Sequence, residues 1–88
     1  MGHTMVTVID EPIQVFAHFR ARTFSPTRFV WRGRNYEVKR VNARWIVRDG
    51  ANRRYHFAVQ TDGAGDLHEL YLKSESMQWY LGRIDTDG

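Results

Sequence analysis

Apolar and polar residues alternate along nearly the whole chain, and this pattern constrains the fold more than any other feature. A period of two residues is typical of strands with one buried face, and no segment sustains the 3.6-residue period of an amphipathic helix. We therefore predict an all-β fold, an antiparallel meander of about six strands. A twisted sheet of this length tends to curl over its own apolar face, so we expect a small barrel, open or closed, or a strongly curled sheet.

Turn residues divide the alternating pattern into segments. The predicted strands cover residues 12–19, 27–32, 35–48, 54–61, 67–73 and 78–84. Pro12 suits the first residue of an edge strand, because it cannot donate a ladder hydrogen bond. Residues 20–26 are expected to form an irregular connection. Residues 1–4, which include His3, and residues 85–88 are expected to be tails outside an ordered core of about 12–85.

Two hairpin loops set the predicted register. Gly33 and Arg34 fit a two-residue type II′ loop, which would place Trp31 opposite Tyr36. Asp49 and Gly50 are expected to open a longer loop of five residues, ending at Arg53, with another loop opening at residues 62–63. The first hairpin would then carry its large apolar side chains on a single face.

The long third strand changes phase along its length. Tyr36 and Val38 occupy even positions, whereas Val41, Trp45 and Val47 occupy odd ones. A shift of one residue inverts every side chain, so a β-bulge near residues 39–40 is predicted, with a sharp bend as the alternative. This register makes Trp45 a buried core residue, like Trp31 on the second strand.

The length and composition indicate one domain covering residues 1–88. A chain of this size buries only roughly 60–65% of its unfolded surface, so a dense core is needed, and twelve aromatic residues supply it. The sequence contains no cysteine, which excludes disulfides and thiolate metal sites and fits a cytoplasmic protein. No apolar run approaches the ~20 residues that span a bilayer, so no membrane association is expected.

Charge is strongly segregated along the chain. The stretch from Arg20 to Arg54 holds eleven of the 13 basic residues and only two acidic ones, Glu37 and Asp49, so its formal charge is +9. The rest of the chain holds two basic and eight acidic residues, a charge of −6. Such asymmetry indicates a polyanion or an acidic protein surface as the partner.

The outward positions of the predicted strands combine arginines with planar rings. The candidate binding residues are Arg28, Arg32, Arg44, Arg48, Arg54, His56, Tyr71, Lys73 and Tyr80. The register places Ile46 beside His56, His56 beside Tyr71 and Tyr71 beside Tyr80. Rings and arginines on a sheet resemble surfaces that hold single-stranded nucleic acid, where bases stack and guanidinium groups follow phosphates. A cross-strand tyrosine pair on a solvated or protein-covered face remains the alternative.

The sequence contains no motif that indicates catalysis. It lacks a phosphate-cradling glycine loop, a nucleophile elbow and a pair of catalytic carboxylates. His56 is the most exposed histidine by pattern, whereas His68 is expected to point into the core. This places them on opposite faces, so no shared metal site is expected and no cofactor is implied.

Several motifs together resemble a known family. They are residues 26–41 (PTRFVWRGRNYEVKRV), Trp45, and residues 54–59 (RYHFAV), 69–71 (ELY) and 79–81 (WYL). The chain resembles an uncharacterised family of small bacterial β proteins, common in actinobacteria, which share Arg-Phe-x-Trp-Arg-Gly-Arg-x-Tyr-x-Val, a later Tyr-x-x-x-x-Thr, Glu-Leu-Tyr and Trp-x-Leu. The resemblance covers roughly residues 12–85. The segment between Trp45 and Arg54 is shorter here than in many relatives, which often carry a Trp-rich insertion.

The resemblance adds a weak functional expectation. Some relatives are encoded near translesion-polymerase-like proteins, which implies an accessory role near DNA and assigns no catalytic residue. We therefore expect a non-enzymatic domain that binds nucleic acid, single-stranded and without strong sequence preference, through a basic outer face. The alternative is an interaction module that docks an acidic protein or a second copy of itself as a homodimer. A small-molecule barrel is disfavoured, since a chain this short should fill its own interior.

Overall fold

The computed structural model describes residues 4–62 and 65–87, and within them the chain forms seven β-strands joined by turns. The strands are β1 (Thr4–Arg20), β2 (Thr23–Trp31), β3 (Arg34–Glu37), β4 (Arg40–Asp49), β5 (Asn52–Gln60), β6 (Leu67–Lys73) and β7 (Gln78–Asp87). The prediction of an all-β antiparallel fold is confirmed. There is one strand more than predicted, because the expected third strand is divided into β3 and β4.

Both terminal strands extend further than predicted. Thr4 begins β1, and residues 85–87 belong to β7, so these residues are not tails. Residues 20–26 are not an irregular connection either, because β1 and β2 are joined by a two-residue turn after Arg20. The remaining expectations, for His3, Gly63 and Gly88, lie outside the described residues.

The strands form a single sheet in the order β3-β2-β1-β7-β6-β5-β4. Strand β1 lies inside the sheet, next to the central strand β7, and pairs antiparallel with both β2 and β7, so the prediction of an edge strand beginning at Pro12 is wrong. Alternation shows which face of a strand is buried, but it does not show which strands lie beside it. The true edges of the sheet are β3 and β4, which are consecutive in the chain.

Residues 38–39 carry the chain from one edge of the sheet to the other. The backbone N–H of Val38 donates to the carbonyl oxygen of Thr27 on β2, at 3.0 Å, and that of Lys39 donates to Gln60 on β5, at 2.7 Å. The sheet therefore curls until its edges approach each other, but it does not close. The phase change predicted near residues 39–40 is this crossing between edges, and no bulge lies there.

The inner face of the curled sheet holds the hydrophobic core. Its buried members come from five strands: Ile13, Phe29, Phe57, Val59, Leu70 and Leu81. Phe24 on β2 packs edge-on against Phe57 on β5, with ring centroids 5.4 Å apart, which joins the two halves of the sheet. Trp31 packs against this core while remaining half-buried, and its indole N–H donates to Glu11 at 2.9 Å.

The β2–β3 hairpin turns one residue earlier than predicted. Arg32 and Gly33 form the loop, and both have positive φ angles, 51° and 76°, as a type I′ turn requires. The predicted type II′ loop is therefore wrong, and Phe29 lies opposite Tyr36 instead of Trp31. The partner has moved by two positions, so every apolar side chain remains on the predicted face.

Strand β4 faces the opposite way from the prediction. The β4–β5 loop contains only Gly50 and Ala51, and the register shifts between Val41 and Ala43, leaving Asn42 as an extra residue. This bulge turns Trp45 outward, beside His56, and turns Arg44 inward, beside Phe57. The predicted burial of Trp45 is therefore wrong, since its side chain is 38% exposed.

Candidate functional site

Four aromatic side chains form a continuous stack across the outer face. We call Trp45, His56, Tyr71 and Tyr80 the ring ladder; they lie on β4, β5, β6 and β7, respectively. Neighbouring ring centroids are 5.2, 5.2 and 5.1 Å apart, and neighbouring rings are inclined by 16°, 23° and 13°. Strands lie about 4.8 Å apart, so rings directly opposite each other stack with little distortion. The predicted positions of His56 beside Tyr71 and of Tyr71 beside Tyr80 are confirmed, and Trp45, in place of the predicted Ile46, lies beside His56.

Stacking covers the faces of the middle two rings. His56 and Tyr71 are each only 8% exposed, so the prediction that His56 is the most exposed histidine is wrong. A base cannot stack on either ring, because each face is already occupied by a neighbouring ring. Trp45 differs, since it ends the ladder on an edge strand, and within residues 4–62 and 65–87 no other ring stacks on the second face of its indole.

The middle of the ladder is fixed by close packing and one hydrogen bond. A Cβ atom at Gly82 would lie 3.1 Å from Cε2 of Tyr71, so glycine leaves room for the phenol ring. The Tyr71 hydroxyl donates to Oδ1 of Asp10 at 3.2 Å. Burial, followed by the nearby Asp10 carboxylate, raises the pKa of Tyr71 to about 12. The phenol therefore stays protonated and serves as a structural donor at neutral pH.

His56 is held by a carboxylate that a second group neutralises. Its Nδ1 lies 3.1 Å from Oε1 of Glu69, and Oε2 of Glu69 accepts from Arg83. Burial lowers the pKa of His56, and the Glu69 carboxylate opposes this only in part. The neutral ring donates from Nδ1, which leaves Nε2 buried without a partner in the described structure. This set of groups positions the ladder and places no free charge on it.

Two basic side chains flank the ladder on the same face. The guanidinium carbon of Arg54 lies 5.7 Å from the ring centroid of Tyr71, and the Lys73 ammonium lies 4.8 Å from that of Tyr80. Arg54 and Lys73 are direct cross-strand partners, an arrangement of like charges that disfavours the sheet. Within residues 4–62 and 65–87, neither side chain forms an ion pair, so this positive charge is available to an anion.

The nine candidate residues do not form one surface. The structure brings together five of them on the outer face: Arg54, His56, Tyr71, Lys73 and Tyr80. Arg44 and Arg48 lie on the other face of β4, so the predicted cluster of these two with Arg54 is wrong. The cause is the bulge at Asn42 and the two-residue loop, which pairs Arg48 with Arg53.

The remaining two candidates lie far along the sheet and have local partners. Arg28 on β2 stacks over Phe16, 4.0 Å from the ring centroid, and donates to Asn35 at 3.4 Å. Arg32 in the β2–β3 turn forms an ion pair with Glu11 at 2.7 Å. Both are held by interactions with their own neighbours, so neither extends the positive surface beside the ladder.

One member of the outer surface was not predicted from the sequence: Trp45, which belongs to the ladder. The signal for Trp45 was its aromatic type next to two further rings in the neighbouring strands. Nothing in the residue pattern marks Asn42 as the bulge, so the face of Trp45 could not be assigned from alternation alone.

A cleft opens where the edges of the sheet approach each other. We call the gap between β4 and residues 23–25 of β2 the seam. The cleft beside it has a volume of about 430 Å³ and walls that include Phe24, Tyr55 and Phe57. Arg44 reaches across the seam to the polar atoms of β2, so a charged side chain lies over an apolar opening.

These features define a small all-β domain with a curled, open sheet, an outer ring ladder and a basic free edge. The chain belongs to the DUF6504 family, described as a domain of unknown function, whose model matches residues 4–86. The expectation of an uncharacterised family is thus confirmed; its actinobacterial distribution and its genomic neighbours stay predictions. No curated protein and no solved structure matches the chain. Across residues 4–62 and 65–87, no helix is long and apolar enough to cross a membrane.

Proposed function

We propose that the protein binds single-stranded nucleic acid through the outer surface formed by Trp45, Arg54 and Lys73. The observation that supports this most is an exposed terminal ring on the same face as two unpaired basic side chains. One base would stack on the free face of Trp45, while the backbone phosphates would contact Arg54 and Lys73. Base stacking on an aromatic side chain contributes roughly 1–3 kcal/mol and does not depend strongly on sequence.

The rest of the ladder has a supporting role in this proposal. His56 stacks against Trp45 on one side and Tyr71 on the other, which fixes the orientation of the terminal ring. A pre-ordered ring loses less side-chain entropy on binding than a mobile one. Tyr80 and Tyr71 therefore contribute through Trp45 and through the basic side chains above them, and they do not act as stacking platforms.

The paired positive charges support an anionic ligand. Arg54 and Lys73 repel each other across neighbouring strands, and a phosphate between them would relieve that repulsion. The proposal is for a non-enzymatic protein of the bacterial cytoplasm with an accessory role near DNA; the cysteine-free sequence suits a reducing compartment.

The test is a titration of single-stranded DNA, duplex DNA of the same sequence and single-stranded RNA, measured by fluorescence anisotropy over a range of salt concentrations. We expect single strands to bind more tightly than the duplex, since only unpaired bases can stack on Trp45. Affinity should fall as salt rises, because bound phosphates release counterions. Absence of binding at low salt would reject the proposal in favour of a protein partner.

A charge-reversed pair and a matched control locate the site. Arg54→Glu with Lys73→Glu should abolish most of the binding and make the salt slope shallower by about 1.4, since single strands contribute roughly 0.7 per phosphate contact. Arg28→Glu with Arg34→Glu makes the same change in net charge on β2 and β3 and should retain most of the affinity. Equal losses in the two double variants would show only a general effect of net charge.

A further inference from the structure

Strand β4 has a free edge on the side that faces the seam. Among the residues that the structure describes, it pairs only with β5. Every residue of β4 is exposed apart from Val41 and Val47, which are half-buried. An edge strand of ten residues offers backbone N–H and C=O groups to any extended chain that can reach it.

Arg44 occupies the position that a neighbouring strand would take. Its Nη1 donates to the carbonyl oxygen of Phe24 and to Oγ1 of Thr23, both at 3.1 Å, and its Nη2 donates to Oγ of Ser25 at 2.8 Å. A carbonyl on the edge of β2 is therefore satisfied by a side chain and not by a ladder hydrogen bond. An added strand requires a gap between β4 and β2 of roughly twice the usual 4.8 Å strand spacing. The side chain of Arg44 extends from β4 to reach β2, which indicates such a gap.

The surroundings of the seam indicate the chemistry of its occupant. The cleft behind it is lined by the apolar side chains of Phe24, Ile46 and Phe57, together with Tyr55. Ile46 is 51% exposed, although it points towards this cleft. Basic groups surround the opening: Arg22 and Arg44 line it, and Arg40 and Arg48 lie further along β4. Asp49 is the single acidic residue of the strand.

The charge of β4 also excludes one occupant. Arginines on an exposed edge are a recognised device against edge-to-edge association, because two such edges repel each other. A second copy of this chain pairing β4 with β4 would bring together Arg40, Arg44 and Arg48 from both molecules. The same charges attract an acidic segment, so complementarity favours a different protein over self-association.

We propose that the seam binds an extended acidic segment of a partner protein, which adds to β4 as a further strand. The side chains on one face of the segment meet the inner face of β4, where Arg44, Ile46 and Arg48 lie two residues apart. On that face an apolar side chain enters the cleft beside Ile46, acidic side chains on either side of it contact Arg44 and Arg48, and the backbone forms ladder hydrogen bonds with β4. Arg44 leaves its bonds to β2 and pairs with a carboxylate of the added strand. Trp45 also lines this cleft, so an added strand would lie against the free face of its ring and would compete there with a nucleic-acid base.

The test uses the full chain and a short synthetic peptide that carries glutamate, valine and glutamate on one face, with threonine at the positions between them, and affinity is measured by titration calorimetry. Saturable binding with new protection of β4 backbone amides against hydrogen exchange is the expected result. The same peptide N-methylated along one edge cannot form the ladder and should bind at least tenfold more weakly. Absence of saturable binding, or equal binding of the methylated peptide, would overturn the proposal.

Two pairs of variants locate the peptide. Arg44→Glu should lower its affinity at least tenfold, whereas Arg28→Glu makes the same change in charge on β2, away from the seam, and should leave it unchanged. If Arg44→Glu unfolds the domain, Ile46→Ala and Arg48→Glu test the apolar and acidic contacts separately, and each should weaken binding severalfold. Unchanged affinity in both would place the peptide elsewhere and contradict the proposal.

Discussion

The sequence pattern predicts the wrong register for both the β2–β3 and the β4–β5 hairpin, but the two errors have opposite consequences. In β2–β3 the partner moves by two positions, so Phe29 and Tyr36 still stack on the inner face, with centroids 4.9 Å apart. In β4–β5 the pairing moves by one, and Trp45 leaves the core for the outer ring ladder. Because side chains alternate with a period of two, an even error in register is harmless and an odd one inverts the strand.

The difference arises from how the two strands signal their buried face. Phe29 and Trp31 sit on one face of β2, and Arg28 and Arg32 sit on the other, so alternation identifies the inner side without knowledge of the turn. Strand β4 offers large apolar residues on both faces, since Trp45 and Ile46 are adjacent. The single extra residue at Asn42 then decides which of them faces inward.

The largest expected effect is on stability, and it separates the two hairpins directly. Phe29→Ala should lower the free energy of unfolding by roughly 3–5 kcal/mol, because this side chain is fully buried in the core. Trp45→Ala should cost about 1–2 kcal/mol, mostly from lost stacking on His56. Chemical denaturation measures both. A loss of stability for Trp45→Ala as large as that for Phe29→Ala would indicate that Trp45 points into the core.

A smaller effect is expected from the β2–β3 turn. Gly33→Val should destabilise the protein by roughly 1–2 kcal/mol, since a β-branched residue is strained at a φ of 76°. Arg34→Val should change stability little, because Arg34 is the first residue of β3 and has no positive φ. Thermal unfolding of the two variants checks the turn. Equal, negligible effects would show that the turn has a different conformation.

The smallest effect should appear as a dependence of stability on pH. Burial lowers the pKa values of His56, on β5, and of His68, on β6 beside Phe29. As pH falls, the unfolded chain therefore binds protons before the folded protein does. The stability that the two neutral histidines contribute is complete above the ordinary histidine pKa and is lost as pH falls towards their lower pKa values in the folded protein. His68→Leu should flatten the decline in melting temperature between neutral and mildly acidic pH. An unchanged decline in that variant would exclude His68 as a source.

The sequence pattern was sufficient for the fold class and for much of the outer face. Alternation in β5, β6 and β7 correctly turns Phe57, Leu70 and Leu81 inward and places His56, Tyr71 and Tyr80 in one outer row. Each of these strands pairs with the strand that follows it in the chain, so the local pattern and the strand pairing agree. The segregation of charge along the chain was also visible in the sequence, but it did not show which arginines share a face of the sheet.

What the pattern could not supply depends on contacts between distant parts of the chain. The pairing of β1 with β7 places a terminal strand at the centre of the sheet, and no local signal marks it. The crossing at residues 38–39 looks like a bulge in the sequence, because both invert the alternation. The seam follows from that crossing, since it leaves β4 as a free edge, and only the folded chain shows that Arg44 extends across it.

The most direct test of the account compares two adjacent residues of β4 in a single assay. Trp45 and Ile46 are both exposed and point to opposite faces of the sheet. Titration of Trp45→Ala and Ile46→Ala with single-stranded DNA, each checked for fold by circular dichroism, should show about a tenfold or greater loss for Trp45→Ala, as expected for one lost stacking contact. Ile46→Ala should bind as tightly as the parent. Equal affinities for the two variants, or a larger loss for Ile46→Ala, would contradict the proposed contact of Trp45 with a base.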